Sequence, residues 1–341
     1  MDETTYRTLT ALSRNIGRPL SITGLVHEIR RLHKSAYYAN IYHAVRGLMR
    51  DGVLESSRIG RSSAVSLNLT AYPVTDLLAE TEIRQKRAIL ASDPAARGAF
   101  TDLEGAFRRH GVEFACATQI QRNLRLRRLE LLLVVGNPDD AGLADSIASV
   151  AARENLRIDW LGLTLGEFLD YVSSARPHPI PEMLGESNAF FIPQLFWGAL
   201  SDAALQGRRV TFWTPTDLRK LGRSDLLFNL GHFGHGLFGG STSGKTLCVE
   251  AAIIAALLAK ERRLRAGSAV LMAKNRFSPR LLAFLAAKYA AEGRLAATVQ
   301  AMKGSEQSEV LRALLGRSGA RPEMAPRQSR RKSLEVHGVA G

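Results

Sequence analysis

Residues 21–68 read SITGLVHEIRRLHKSAYYANIYHAVRGLMRDGVLESSRIGRSSAVSLN. Ile22, Leu25, Val26, Ile29 and Leu32 recur at helical spacing, with Ser21 in front of them as an N-cap. Arg30, Arg31, His33 and Lys34 gather at the end of that helix, where cations suit its dipole. A second apolar stripe, Ile41, Ala44, Val45, Leu48 and Met49, follows a short break at Lys34 to Tyr37. Its opposite face carries Tyr38, Asn40, His43, Arg46 and Arg50, and Asp51-Gly52 stops the helix because Gly takes the left-handed cap without steric cost. Val53-Leu54, a turn around Arg58-Ile59-Gly60-Arg61 and the alternating run Ala64 to Leu69 predict a half-buried hairpin with a basic tip.

Two short helices and a basic hairpin, in that order, are the parts of a winged helix-turn-helix, which sets its second helix in the DNA major groove. On that reading Tyr37, Tyr38, Asn40, His43 and Arg46 make base and backbone contacts, while Arg58 and Arg61 at the hairpin tip reach phosphate or the minor groove. Tyr6 to Ile16 forms the leading helix, with Tyr6, Leu9, Leu12 and Ile16 inward. After the hairpin, Val74 to Ala91 reads as one longer helix, a rigid connector or else the dimerisation element of a homodimer, and Ser92-Asp93-Pro94 closes it at a domain boundary.

A chain of 341 residues has room for two or three domains. Its formal charge of +14 favours a polyanionic partner, double-stranded DNA before an anionic membrane surface. Two cysteines, Cys116 and Cys248, provide neither a disulfide framework nor zinc-finger spacing, and the eight histidines show no metal spacing with them. The sequence therefore predicts no metal and a reducing, cytoplasmic setting. The opening MDETTYRTL is too polar for a signal peptide, and the most apolar run, Val249 to Ala259, is too short to cross a bilayer.

The middle region alternates strand and helix. Glu113 to Ala117, Leu129 to Val135 and Leu156 to Leu163 read as strands, with helices at Phe100 to His110, Ala141 to Glu154 and Leu165 to Val172. The chain resembles archaeal winged-helix proteins fused to a nucleotidyltransferase-like domain. The residues that carry this are Gly17-Arg18-Pro19-Leu20-Ser21-Ile22, Ala36-Tyr37-Tyr38-Ala39-Asn40-Ile41-Tyr42, Ile59-Gly60-Arg61-Ser62-Ser63, Val65-Ser66-Leu67-Asn68 and Asp76-Leu77-Leu78-Ala79-Glu80. The resemblance is good over roughly the first 90 residues.

It implies a Gly-Ser after the first strand of the middle region, an Asp-x-Asp on the second and a third Asp on a later strand, the carboxylates holding two Mg²⁺ ions that bridge attacking and leaving oxygens. Ala117-Thr118 stands at the first position, Arg128-Leu129-Glu130 at the second, and Asp159 fits the third. With a cation where a metal belongs, the resemblance implies a non-catalytic domain without cofactor. The alternative is an enzyme transferring nucleotides with Mg²⁺ through Glu130 and Asp159. The arginine run at 122, 125, 127 and 128 falls where the triphosphate loop of such a domain would be.

Ser187 to Leu205 reads as a core helix, Arg208 to Trp213 as a strand, and Leu226 to Phe238 closes the α/β region. Gly239-Gly240-Ser241-Thr242-Ser243-Gly244-Lys245-Thr246 matches the P-loop, in which Gly244 would lend its backbone, Lys245 would reach phosphates and Thr246 would hold Mg²⁺. Its surroundings do not match: Gly231 to Gly236 is no buried strand, and the strand candidate Ala269 to Met272 runs into Ala-Lys rather than an acid. A Gly/Ser-rich loop before a helix is the plainer reading, with a nucleotide-binding or toxin–antitoxin role as the alternative. Leu247–Lys260, Pro279–Glu292 and Glu306–Leu315 read as helices. The expected organisation is a multidomain α+β chain: winged helix-turn-helix 1–72, connector 73–92, nucleotidyltransferase-like α/β domain 93–240, helical bundle 241–316 and a basic, disordered tail 317–341.

Overall fold

The structure is a computed structural model; it describes residues 1–60, 62–236, 241–302 and 306–318. Among these the chain is a mixed α+β protein of sixteen α-helices and two small sheets. Arg61, part of the GGSTSGKT stretch and nearly all of the basic tail lie outside the described residues.

The N-terminal quarter builds α1 (Glu3–Ser13), β1 (Leu20–Ser21), α2 (Ile22–His33), α3 (Tyr38–Arg50), β2 (Leu54–Ile59) and β3 (Ser62–Leu67). Local chemistry sets these bounds. Asp2 accepts the Thr5 N–H at 2.9 Å to start α1, and Ser21 accepts the Gly24 N–H at 3.0 Å to start α2. Lys34 ends α2 in the left-handed region at φ 66°, and Gly52 follows α3 at φ 74°. Leu9, Leu12, Leu25, Ile29, Ile41, Val45 and Leu48 all turn inward and are buried. β2 and β3 pair antiparallel from Leu54↔Leu67 to Ile59↔Ser62, with β1 on the outer side of β3. Gly60 follows β2 at φ 60°, a left-handed conformation that hairpin turns favour.

The connector is α4 (Tyr72–Ser92), and Asp93 both ends it and caps α5 (Pro94–Arg109) by accepting the Ala96 N–H at 3.1 Å. α4 packs against α1, α5 and α10 (Pro193–Leu205) and against β7 (Ser187–Phe191), so its sides are used within the chain.

The central sheet has the order β6 (Arg157–Leu163), β5 (Arg128–Val135), β4 (Val112–Thr118), β7. β5 and β6 run parallel; β4 runs antiparallel to both β5 and β7. Both faces are covered, as the unbroken apolar run of β5 predicts. Leu129, Leu131, Leu133 and Val135 face one core with α5 and α7 (Ala141–Arg153). Leu132 and Val134 join a second core that continues into the helix pair near the N-terminus and into the C-terminal helices. The chain's parts therefore share one apolar core on that face of the sheet.

The C-terminal part comprises α11 (Arg223–His232), α12 (Val249–Leu258), α13 (Arg262–Lys274), α14 (Pro279–Tyr289), α15 (Glu292–Ala301) and α16 (Glu306–Ser318). Three expectations are corrected here. The stretch 187–205 splits into β7 and α10 because Ile192, at φ 46°, turns the chain before Pro193. Ala269 to Met272 lies inside α13 and forms no strand. Arg208 to Trp213 is extended but joins no sheet; Thr211 donates to the Val172 carbonyl at 3.1 Å and Phe212 to the Ile16 carbonyl at 2.9 Å. No helix among the described residues is long and apolar enough to cross a membrane.

Candidate nucleic-acid interface

On α3 the sequence-predicted residues come together on the solvent side. Tyr37, Tyr38, Asn40, His43 and Arg46 are all exposed, Tyr37 at 72% and Tyr38 at 53%. The opposite side, Ile41, Val45 and Leu48, is buried against α1 and α2. Helical geometry makes a ladder of the exposed side, since residues four apart stand above one another. The rings of Tyr38 and Tyr42 stack at 6.3 Å and 12°, the Arg46 guanidinium lies 6.0 Å above the Tyr42 ring, and His43 meets Tyr42 edge-on at 6.0 Å. Tyr42 was not among the residues that the sequence pattern selected. Its position, four after Tyr38 and four before Arg46, was the signal.

Arg58 lies on β2 opposite Ser63, one step before the end of the strand rather than at its tip, and is exposed. Arg61 lies outside the described residues. The helix end nearby is organised without using these groups. Arg30 turns back to donate to the Ala36 carbonyl at 3.2 and 3.1 Å, and Arg31 pairs with Glu28. That pairing holds the Glu28 carboxyl below its usual range, burial working against it.

The second candidate, Glu130 and Asp159, is brought together by the register: the two residues are partners on the parallel strands β5 and β6. Both are buried. The space between them is filled by a guanidinium. Arg128 stands 3.3 Å from Glu130 and 3.0 Å from Asp159, Arg157 lies 2.9 Å from Asp159, and Lys288 of α14 lies 3.1 Å from Glu130. The same arginines serve the C-terminal end of α14. Arg128 donates to the carbonyls of Ala287 and Lys288, both at 3.4 Å, and Arg157 to Ala287 at 2.8 Å. Cations suit that end of a helix dipole. The carboxylates thus form a clamp between sheet and C-terminal helices, with the cations in the place that a pair of metal ions would require. A small Gly-Ser turn is also missing: Thr118 ends β4, Gln119 sits at φ 44°, and α6 (Ile120–Arg125) is a six-residue helix.

The described part of the P-loop match, Ser241 to Thr246, is neither helix nor strand and is tied to α11. The Lys245 N–H donates to Asp225 at 2.9 Å, the Lys245 carbonyl accepts from Asn229 at 2.7 Å, and Leu247 N–H donates to Asn229 at 2.9 Å. α12 begins at Val249, so Thr246 is not in its first turn. A Cβ on Gly244 would come within 2.9 Å of Phe228, which accounts for that glycine by packing. Among the described residues of this stretch, the Lys245 N–H, one of those a phosphate would use, is taken by the Asp225 carboxylate.

Beneath the N-terminal region, where α1 and α4 meet β7, Glu82 is buried and accepts from Asn188. Burial pushes its carboxyl up to about 7, against the attraction of Arg14. Neither family models nor curated proteins nor solved structures gave a match to this chain.

Proposed function

We propose that the chain is a DNA-binding transcriptional regulator in which the N-terminal helices and hairpin act as a winged helix-turn-helix. The observation that carries this reading is the solvent face of α3, where Tyr38, Tyr42 and Arg46 form an exposed aromatic and cationic ladder while the opposite face is fully occupied by core contacts. A large aromatic surface left in water beside an arginine is costly unless a partner covers it. Arg46 can give two parallel donors to a guanine edge, the commonest specific contact in the major groove. Arg58, exposed on the hairpin, would bind phosphate and add affinity without sequence preference. The formal charge of +14 fits a polyanionic partner.

The central sheet is read as a nucleotidyltransferase-like scaffold put to structural use. Support for the likeness is the pairing of Glu130 with Asp159 on adjacent parallel strands, and support for the structural use is the guanidinium between them. An electrophoretic shift series with full-length protein tests the regulator reading. An Arg46/Arg58/Arg61 triple alanine variant should lose at least tenfold in duplex affinity. Equal shifts for wild type and the triple variant would overturn the proposal.

A further inference from the structure

Away from that surface, three side chains able to ligate a metal converge where α9 (Pro179–Leu184), which follows β6 in sequence, meets the C-terminal helices. His178 is the N-cap of α9, Cys248 the N-cap of α12, and Glu250 lies in the first turn of α12. One ligand atom from each lies within 4.8 Å of those of the other two. His178 and Glu250 are buried and Cys248 is half-buried.

Glu250 is the member that most needs an explanation. It is 7% exposed, it accepts the Ser278 N–H at 2.7 Å, and no lysine or arginine among the described residues forms an ion pair with it. The other buried carboxylates of this region have charged partners: Glu130 has Lys288 and Asp159 has two arginines. A buried carboxylate without a countercharge is expensive. The groups beside Glu250 are an imidazole and a thiol, neither of which neutralises it in its uncharged form.

We infer that His178, Cys248 and Glu250 form a binding site for a divalent transition-metal ion of the zinc class. One nitrogen, one sulfur and one oxygen donor suit zinc, cobalt or iron, and the thiolate disfavours magnesium and calcium. Three protein ligands leave the fourth position to water or a ligand. The surroundings fix the donors. The His178 ring stacks on Tyr171 at 4.3 Å and 14°, and its Nδ1 accepts the Ile180 N–H in a long contact of 3.3 Å whose lone pair a metal can claim. Burial, with Glu250 beside it, pushes the Cys248 thiol up, so the bound ion itself would hold it as a thiolate. The ion would tie the segment after α8 (Leu165–Val172) to the C-terminal helices, as the Arg128 clamp does some distance away.

Full-length protein stripped with a chelator and titrated with Co²⁺ tests the site. One equivalent should bind, with a thiolate-to-cobalt charge-transfer band in the near ultraviolet and visible ligand-field bands of tetrahedral strength. Zn²⁺ should abolish both bands by displacement and raise the melting temperature. Cys248→Ser should remove the charge-transfer band, and His178→Ala should weaken binding by more than about 100-fold, since even loss of a group that only orients a ligand costs 10–100-fold. Cys116→Ser, which changes a buried thiol of β4, should leave the spectrum unchanged. A wild-type titration without a charge-transfer band would overturn the site whether or not the variants fold, and so would a band kept by folded Cys248→Ser.

Discussion

Replacing Arg128 by alanine is the sharpest probe of how the central sheet is held. The side chain contacts Asp159 at 3.0 Å and Glu130 at 3.3 Å and gives two longer donations to α14 carbonyls. Leaving a buried charge without its partner costs about 3–5 kcal/mol. Two cations remain in the variant, Arg157 at 2.9 Å from Asp159 and Lys288 at 3.1 Å from Glu130, and Arg128 is 22% exposed. The loss should therefore sit at or below the low end of that range, about 2–3 kcal/mol. At about 2–4 °C per kcal/mol for a chain of some hundreds of residues, the melting temperature should fall by roughly 4–12 °C. Removing the guanidinium also opens the space between two paired carboxylates. Millimolar Mg²⁺ should then recover part of the loss in Arg128→Ala while leaving the wild type where it was. Scanning calorimetry of both proteins with and without Mg²⁺ reads all four values. A loss under about 1 kcal/mol would refute the clamp.

Other outcomes follow from single contacts. Glu82 has a folded-state value of about 7, above its ordinary 4.5, so folding favours the protonated acid: its contribution is full below pH 4.5 and is lost as pH rises through 7. Denaturant titrations at pH 5 and pH 8 should show that Glu82→Gln removes up to about 3 kcal/mol of wild-type pH dependence, and an unchanged slope would count against the burial argument. Ala290, exposed at φ 56° after α14, should gain about 1 kcal/mol on replacement by Gly, measured as a higher unfolding midpoint. Lys245→Ala should change stability by less than about 0.5 kcal/mol, because its bonds to α11 come from the backbone, whereas Asp225→Ala should cost about 1 kcal/mol. Arg58→Ala should weaken duplex binding alike for all sequences and shallow the salt slope by about 1, read by fluorescence anisotropy across salt concentrations.

Much of the N-terminal region could be read directly because its signals are local. Ser21, the 3.6-residue stripes of α2 and α3, and Asp51-Gly52 each act within one or two turns of the chain, and the structure uses them as the spacing predicts. β1 was missed: it is two residues long and exists only through pairing with Ala64 and Val65 more than forty positions away. β7 and α10 merged into one predicted helix because an unbroken apolar stretch has no period to tell strand from helix; Pro193 was the overlooked mark of a helix start. The place of Glu130 and Asp159 was legible as strand positions. Their neutralisation was only half so, since Arg128 is adjacent in sequence while Lys288 and the α14 carbonyls arrive from about 160 residues away. The cluster of His178, Cys248 and Glu250 could not be found by spacing, because its members meet only when α12 docks beside α9.

The most direct measurement for the regulator reading is selection from a pool of random-sequence duplexes by the full-length chain, run in parallel with Arg46→Ala. Wild type should enrich a short motif, and the variant should lose preference at one guanine of it while still enriching the rest. A pool that stays random after repeated rounds with folded wild-type protein would contradict the assignment of α3 as a reading helix.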